Sequence, residues 1–190
     1  MAIKDQNLDI SLQPKIALGM IVKNEEKVIE KTFKSAIDAV DCLYIYDTGS
    51  TDKTVKIINN FAGKYPNKKV YLKFGQFTNF EKTRNELLEW IDTHPDSLDL
   101  DFILLLDAND EFNGCKELRQ FASERLLNTE DEGGFYIEQH WLYGDDVEKY
   151  YNIFFIRPRK GWKYHGHVHE YMCGPKKPHE LKVPDRKSVV

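Results

Sequence analysis

Acidic residues stand directly after short apolar runs in this chain, where their chemistry is most usable. LLLDANDEF leaves Asp107, Asn109, Asp110 and Glu111 after one run, YIYDTGSTD leaves Asp47 after another, and MIVKNEE leaves Asn24, Glu25 and Glu26 after a third. Carboxylates gathered on one rim repel each other unless something neutralises them. A bound cation is the natural solution. Asp107 with Asn109 or Asp110 offers the oxygen donors that Mg²⁺ or Mn²⁺ prefers, and such an ion can bridge a diphosphate and stabilise it as a leaving group. The competing reading of DANDEF is a solvated turn in which Asp110 or Glu111 caps the next helix.

Three further positions carry signal. In DTGSTD, Gly49 permits a tight turn, Ser50 or Thr51 can cap a helix, and Asp52 favours its amino end. Asp47 is left over. It can accept from the N–H of uracil or a similar base, or else hold an Asx turn. Phe80, Arg84, Leu87 and Ile91 recur at 4-3-4 spacing, so Arg84 falls on an apolar, sheet-facing stripe and requires an anion. Asp47, another rim carboxylate or a ligand phosphate are the candidates, and a structural salt bridge is the simpler outcome. If WKYHGHVHEYM is one strand, His165, His167 and His169 share a face opposite Glu170. A three-histidine zinc site then competes, although a single functional histidine, His169, is preferred.

The elements that position these residues follow from patterning. Residues 15–22 read as a strand buried on both faces, 42–46 as a second short buried strand, and 69–75 and 101–106 as a third and a fourth. Helices are expected from near Asn24 as cap, after Ser50 or Thr51, over about 79–92 with Thr78 and Glu81 as a capping box, and around 115–127. Beyond Gly133-Gly134 the chain is aromatic and strand-like, with a hairpin break at 143–146. Strand–helix alternation predicts an α/β fold with a mainly parallel sheet and right-handed crossovers, and a small antiparallel β-rich lobe. Ligands of such sheets sit outside the carboxyl ends of the strands, where the acids collect. Residues 1–14 read as a leader, 15–172 as the domain and 173–190 as a tail or linker.

The 190 residues suffice for one ordinary domain, and 41% hydrophobic content is globular. A net charge of −4 gives no basic footprint, so nucleic acid is not expected as a partner. Three scattered cysteines without a CxxC pair suit a reducing compartment. There is no signal-peptide core and no apolar run of membrane-spanning length, which sets a cytoplasmic expectation.

The ordered set MIVKNEE, YIYDTGSTD, EKTRNELL, LLLDANDEF and GWKYHGHVHEY resembles the family 2 glycosyltransferases, closest to a subgroup with NEE, DTGSTD, RN, LDADE-like and W…HE motifs, over about residues 15–172. The resemblance implies the GT-A fold, a Rossmann-like three-layer sandwich. It also implies inverting transfer of a sugar from a nucleoside diphosphate, usually UDP, with Mn²⁺ or Mg²⁺. Glu25, Asp47 and Arg84 match positions near the nucleoside, Asp107 the first acid of the DxD-type signature, and Arg157 the arginine preceding the last motif. His169 matches the histidine of the HE motif, which can reach the metal or the diphosphate. One departure is that the signature's third position is Asn109, a neutral ligand, followed by Asp110.

The expected mechanism is a single displacement on the sugar's anomeric carbon by an acceptor hydroxyl from a glycan, protein or lipid. Asp145 is placed first as catalytic base, with Asp146, Glu138 and Glu170 as further options. Two rivals are a nucleotide-sugar-binding domain with weak or no catalysis, motivated by Asn109, and a zinc-binding or interaction module centred on HGHVHE.

Overall fold

The computed structural model describes residues 13–126, 133–143, 146–166, 170–174 and the backbone of 188–189. Strands β1 (Ile16–Val22), β2 (Cys42–Asp47), β3 (Lys69–Phe74) and β4 (Phe102–Leu105) alternate with helices α1 (Ile29–Ala36), α2 (Thr54–Lys64), α3 (Phe80–Thr93) and α4 (Cys115–Leu126). Then come β5 (Gly134–Tyr143), β6 (Asp146–Ile156), β7 (Lys163–His165), β8 (Tyr171–Cys173) and β9 (Ser188–Val189). The main sheet has the order β3-β2-β1-β4-β6-β5-β9. Strands β3, β2, β1 and β4 pair in parallel, and β6 runs against both β4 and β5.

Successive strand residues point to opposite faces, and both faces of β1, β2 and β4 are covered. Ile16, Leu18, Met20, Leu43, Ile45 and Leu104 pack with α1, α2 and α4 through Phe33, Phe61 and Phe121. Ala17, Tyr44, Tyr46, Ile103 and Leu105 face the other way, against Leu87, Leu88 and Ile91 of α3 and Tyr164 and Met172 of the β7–β8 pair. This makes three layers. It also explains why these strands read as unbroken apolar runs instead of alternating ones.

The helix starts differ from expectation. Asn24 adopts a left-handed φ of 58° and accepts from the Thr51 amide instead of capping α1, whose N-cap position is Val28. Neither Ser50 nor Thr51 caps α2; Asp52 accepts from both the amide and the hydroxyl of Thr54. Helix α3 is capped by Asn79, which accepts from Lys82 N, and not by Thr78. At α2 and α3 a short polar side chain one or two residues away satisfies the amides first, whereas at α1 the Glu25 carbonyl accepts from Val28 N and Ile29 N.

The β5–β6 hairpin is as the sequence suggests, with β4 pairing only its base at Phe155 and Ile156. From Tyr136 onward β5 continues past the carboxyl end of β4, so at about 3.3 Å per residue the hairpin overhangs the rim by roughly 25 Å. Trp162 wedges the base of this hairpin against β8. A Cβ on Gly134 would meet the Trp162 ring at 2.1 Å, and one on Gly174 at 2.7 Å. Gly134→Ala is therefore expected to destabilise the fold by about 1–3 kcal/mol, as overpacking does, measured by urea unfolding.

Candidate functional site

The loops after β1 and β2 are knitted together at the sheet's carboxyl edge. Asn24 N donates to Ser50 Oγ (2.9 Å), Glu25 N to Thr54 Oγ1 (2.7 Å), Glu26 N to Asp52 Oδ2 (3.1 Å) and Lys53 N to Glu26 Oε2 (3.0 Å). Most polar atoms of NEE and GSTD thus serve the scaffold. The Glu25 carboxyl instead faces a cavity of about 400 Å³, shared with Thr48, Phe77, Arg84, Asp107 and Asn109. Burial, with Asp52 and Asp107 nearby, raises its pKa.

Asp47 is 1% exposed. Its Oδ1 accepts from the amides of Gly49 (2.9 Å) and Ser50 (2.8 Å), the Asx turn that competed with a ligand role. Oδ2 is buried without a hydrogen bond, which leaves an acceptor one residue from the cavity-lining Thr48.

After β4, Asp107 N donates to Asp110 Oδ2 (2.9 Å) and Asp110 N to Asp107 O (3.1 Å). Thr32 of α1 anchors the loop by donating to Ala108 O at 2.6 Å. Asp110 is therefore turned inward as the loop's staple. Burial and the Asp107 charge push its carboxyl up to about 6, against the Asp107 amide, Arg84 and Gln139. Asn109 is exposed and lines the cavity.

Arg84 has the anion its stripe position requires, and that anion is not Asp47. Its Nη2 donates to Asp107 Oδ1 (2.7 Å) and its Nε to Glu170 Oε1 (2.9 Å). Burial works against its charge, but Asp107, Tyr164 and Glu170 outweigh it and raise the pKa. The salt bridge expected as the simpler outcome is present, and it also forms a wall. On one side lies the 400 Å³ cavity; on the other lies one of about 700 Å³ bounded by Glu170, Gln139, Asn152 and the overhanging hairpin.

Two further anchors were not read from the sequence. Asn85 clamps β7 by donating to Tyr164 O (2.9 Å) and accepting from Tyr164 N (2.8 Å), and Glu81 accepts from Gly166 N (2.8 Å). Their adjacency to Arg84 on one helix was the available signal; their partner lies about 80 residues further along the chain.

Arg157 requires correction. Because β6 runs against β4, Ile156 stands opposite Ile103, near the start of β4. Arg157 therefore sits at the sheet edge opposite the acids, its guanidinium 4.7 Å from the Phe102 ring and donating to Arg125 O. The histidine segment is likewise not one strand: β7 ends at His165, and Gly166 takes a φ of 103° before the chain returns as β8. Asp145, His167 and His169 lie outside the described residues.

Of the two alternative bases on the hairpin, Glu138 is spoken for. It accepts from Tyr151 Oη (2.5 Å) and contacts His140 and Lys149 (3.1 Å). Tyr151, His140 and Lys149 hold its pKa down to about 2, which makes it a poor proton acceptor. A depressed carboxylate pKa stabilises the fold above its unfolded value, near 4.5, and that stability is lost as pH falls through about 2. Wild type is expected to lose about 1–3 kcal/mol more than Glu138→Gln between pH 5 and pH 2, read from denaturant unfolding at both pH values.

Among the described residues, no three His, Cys, Asp or Glu side chains converge as a metal cluster. Asp107 and Asn109 nevertheless present oxygen donors on one cavity wall, the donor type suited to Mn²⁺ or Mg²⁺.

The sequence model of Glycosyl transferase family 2 matches residues 18–125. The chain belongs to that family. Among solved structures it resembles the mannosyltransferase PcManGT from Pyrobaculum calidifontis, in complex with GDP-Man and Mn²⁺, at 14% identity and TM-score 0.52, covering 66% of this chain and 35% of that one. It also resembles GalNAc-T7 with UDP, GalNAc and Mn²⁺ at 13% identity and TM-score 0.50, covering 83% and 28%. Such likeness shows the shared GT-A glycosyltransferase fold. This chain spans about a third of the length of either neighbour. No curated protein matched.

Proposed function

We propose that the chain catalyses inverting, divalent-metal-dependent transfer of a hexosyl group from a nucleoside diphosphate, UDP foremost, to an acceptor hydroxyl. The observation that carries this reading is the Arg84–Asp107 wall standing between two cavities at the carboxyl edge of the sheet. A donor in the smaller cavity and an acceptor in the larger one would meet there. Family membership and neighbours that hold GDP-Man or UDP with Mn²⁺ support it.

In this reading the unpaired Asp47 Oδ2 takes the N–H of the base, and Glu25 stands near the ribose. An ion held by Asp107 with Asn109, and by His169, would neutralise the departing diphosphate; Asp110, turned inward, serves the loop instead. Arg84 holds Asp107 in place through its Nη2. The acceptor oxygen bonds to the anomeric carbon as the bond to the diphosphate breaks, and its proton passes to a carboxylate, Asp145 or Glu170. Glu170 lines the acceptor cavity but is shared with Arg84. Asn109, neutral where an acid is usual, favours the second reading, a nucleotide-sugar binder with weak catalysis.

Thermal shift with UDP, GDP and their sugars, each with Mn²⁺, Mg²⁺ or Zn²⁺, tests the proposal. Stabilisation by nucleotide only with Mn²⁺ or Mg²⁺ is expected. Stabilisation by Zn²⁺ alone would instead favour a zinc module. Sugar-nucleotide hydrolysis then separates enzyme from binder.

A further inference from the structure

The larger cavity has a composition of its own. Phe80, Trp141, Tyr151 and Tyr171 line it, and they are 44%, 42%, 46% and 61% exposed. Large aromatic faces open to water at this density normally mark a binding site. Gln139, Asn152 and Glu170 contribute to the same lining. The Gln139 and Asn152 amides are already hydrogen-bonded to each other at 3.0 Å, so their orientation is set before a ligand arrives. At about 700 Å³ the cavity falls within the roughly 300–1,000 Å³ of small-molecule sites.

Resting on the transferase reading, we infer that the acceptor held in this cavity is a saccharide. A sugar ring presents an apolar C–H face and an equatorial belt of hydroxyls. The first suits the exposed aromatic faces, and the second suits amides and a carboxylate that can donate or accept. A lipid chain would call for a continuous apolar groove, and here Arg84, Asp107, Gln139, Asn152 and Glu170 interrupt the lining. A protein acceptor would lie across a flatter surface, whereas the hairpin, β8 and α3 together line this cavity. The hairpin supplies Trp141 and Tyr151 from β5 and β6, Tyr171 comes from β8 and Phe80 from α3, so the aromatic groups reach the lining from separate elements.

Saturation-transfer NMR on the full chain, with methyl hexosides and disaccharides at millimolar concentration, tests the inference. A serine- and threonine-containing peptide and short-chain lipid micelles serve as comparison probes. At least one saccharide is expected to show saturation that falls by roughly tenfold or more in both Trp141→Ala and Tyr171→Ala. UDP or GDP binding should be unchanged in the same variants, which shows that they are folded. No saccharide signal, a saccharide signal unaffected by both substitutions, or a Trp141-sensitive signal from peptide or micelle alone would overturn it. Saccharide binding without any nucleotide binding would remove the transferase reading and leave this site standing. Nucleotide binding without saccharide binding would do the reverse.

Discussion

Replacing Asp107 with alanine is expected to abolish the metal-dependent stabilisation by nucleotide and to lower sugar-nucleotide turnover by about 10²–10³-fold, the loss seen when one transition-state charge partner is removed. Among the described residues, Asp107 is the only carboxylate that lines both cavities, and its Oδ1 accepts from Arg84. The fold should survive, because Arg84 retains Glu170 and the loop retains the Asp110 staple to the residue-107 amide. Thermal shift with UDP and Mn²⁺, beside a turnover assay, reads both quantities. Unchanged metal-dependent binding would remove Asp107 from the ion site.

Arg84→Met is expected to cost stability as well as binding. The arginine side chain is 11% exposed, and its loss leaves Glu170, 17% exposed, and Asp107, 38% exposed, as neighbouring unpaired acids. Breaking a buried pair by removing one partner costs about 3–5 kcal/mol. Asp107 is reachable by water, so about 2–4 kcal/mol is the expected value here. Urea unfolding measures it. Arg84→Lys should recover only part, since one ammonium lacks the planar fork that serves two carboxylates at once. Adding Glu170→Gln to Arg84→Met should restore part of the stability by removing one of the orphaned charges. If Arg84→Met proves as stable as wild type, the wall between the cavities is not held by this ion network.

Leu87, Leu88 and Ile91 make the placement of Arg84 affordable. Each buried apolar side chain contributes about 1.5–3 kcal/mol, and all three pack beneath the central sheet on the same helix. That helix can therefore hold a charged group on its inner face provided its partners arrive from elsewhere. One partner comes from the end of β4 and the other from beside β8, which is how α3 ties the parallel half of the sheet to the β-rich lobe.

Local patterning determined the strands, the helices and the rim. Residues 15–22, 42–46 and 101–106 could only be buried strands, because such apolar runs need cover on both faces, and parallel topology then sends their following acids to one edge. That is why Glu25, Asp47, Asp107 and Asn109 were legible. The tertiary structure alone decided which acid meets Arg84, that Asp110 turns inward and Asn109 outward, and that Arg157 lies at the opposite edge. Each of these depends on register or on a contact between segments distant in the chain. The direction of β6 moved Arg157 by the full length of the sheet, and no local propensity encodes which way a strand enters. Capping slipped for a related reason: several short polar side chains compete for the same few amides, and only the packed loops choose among them.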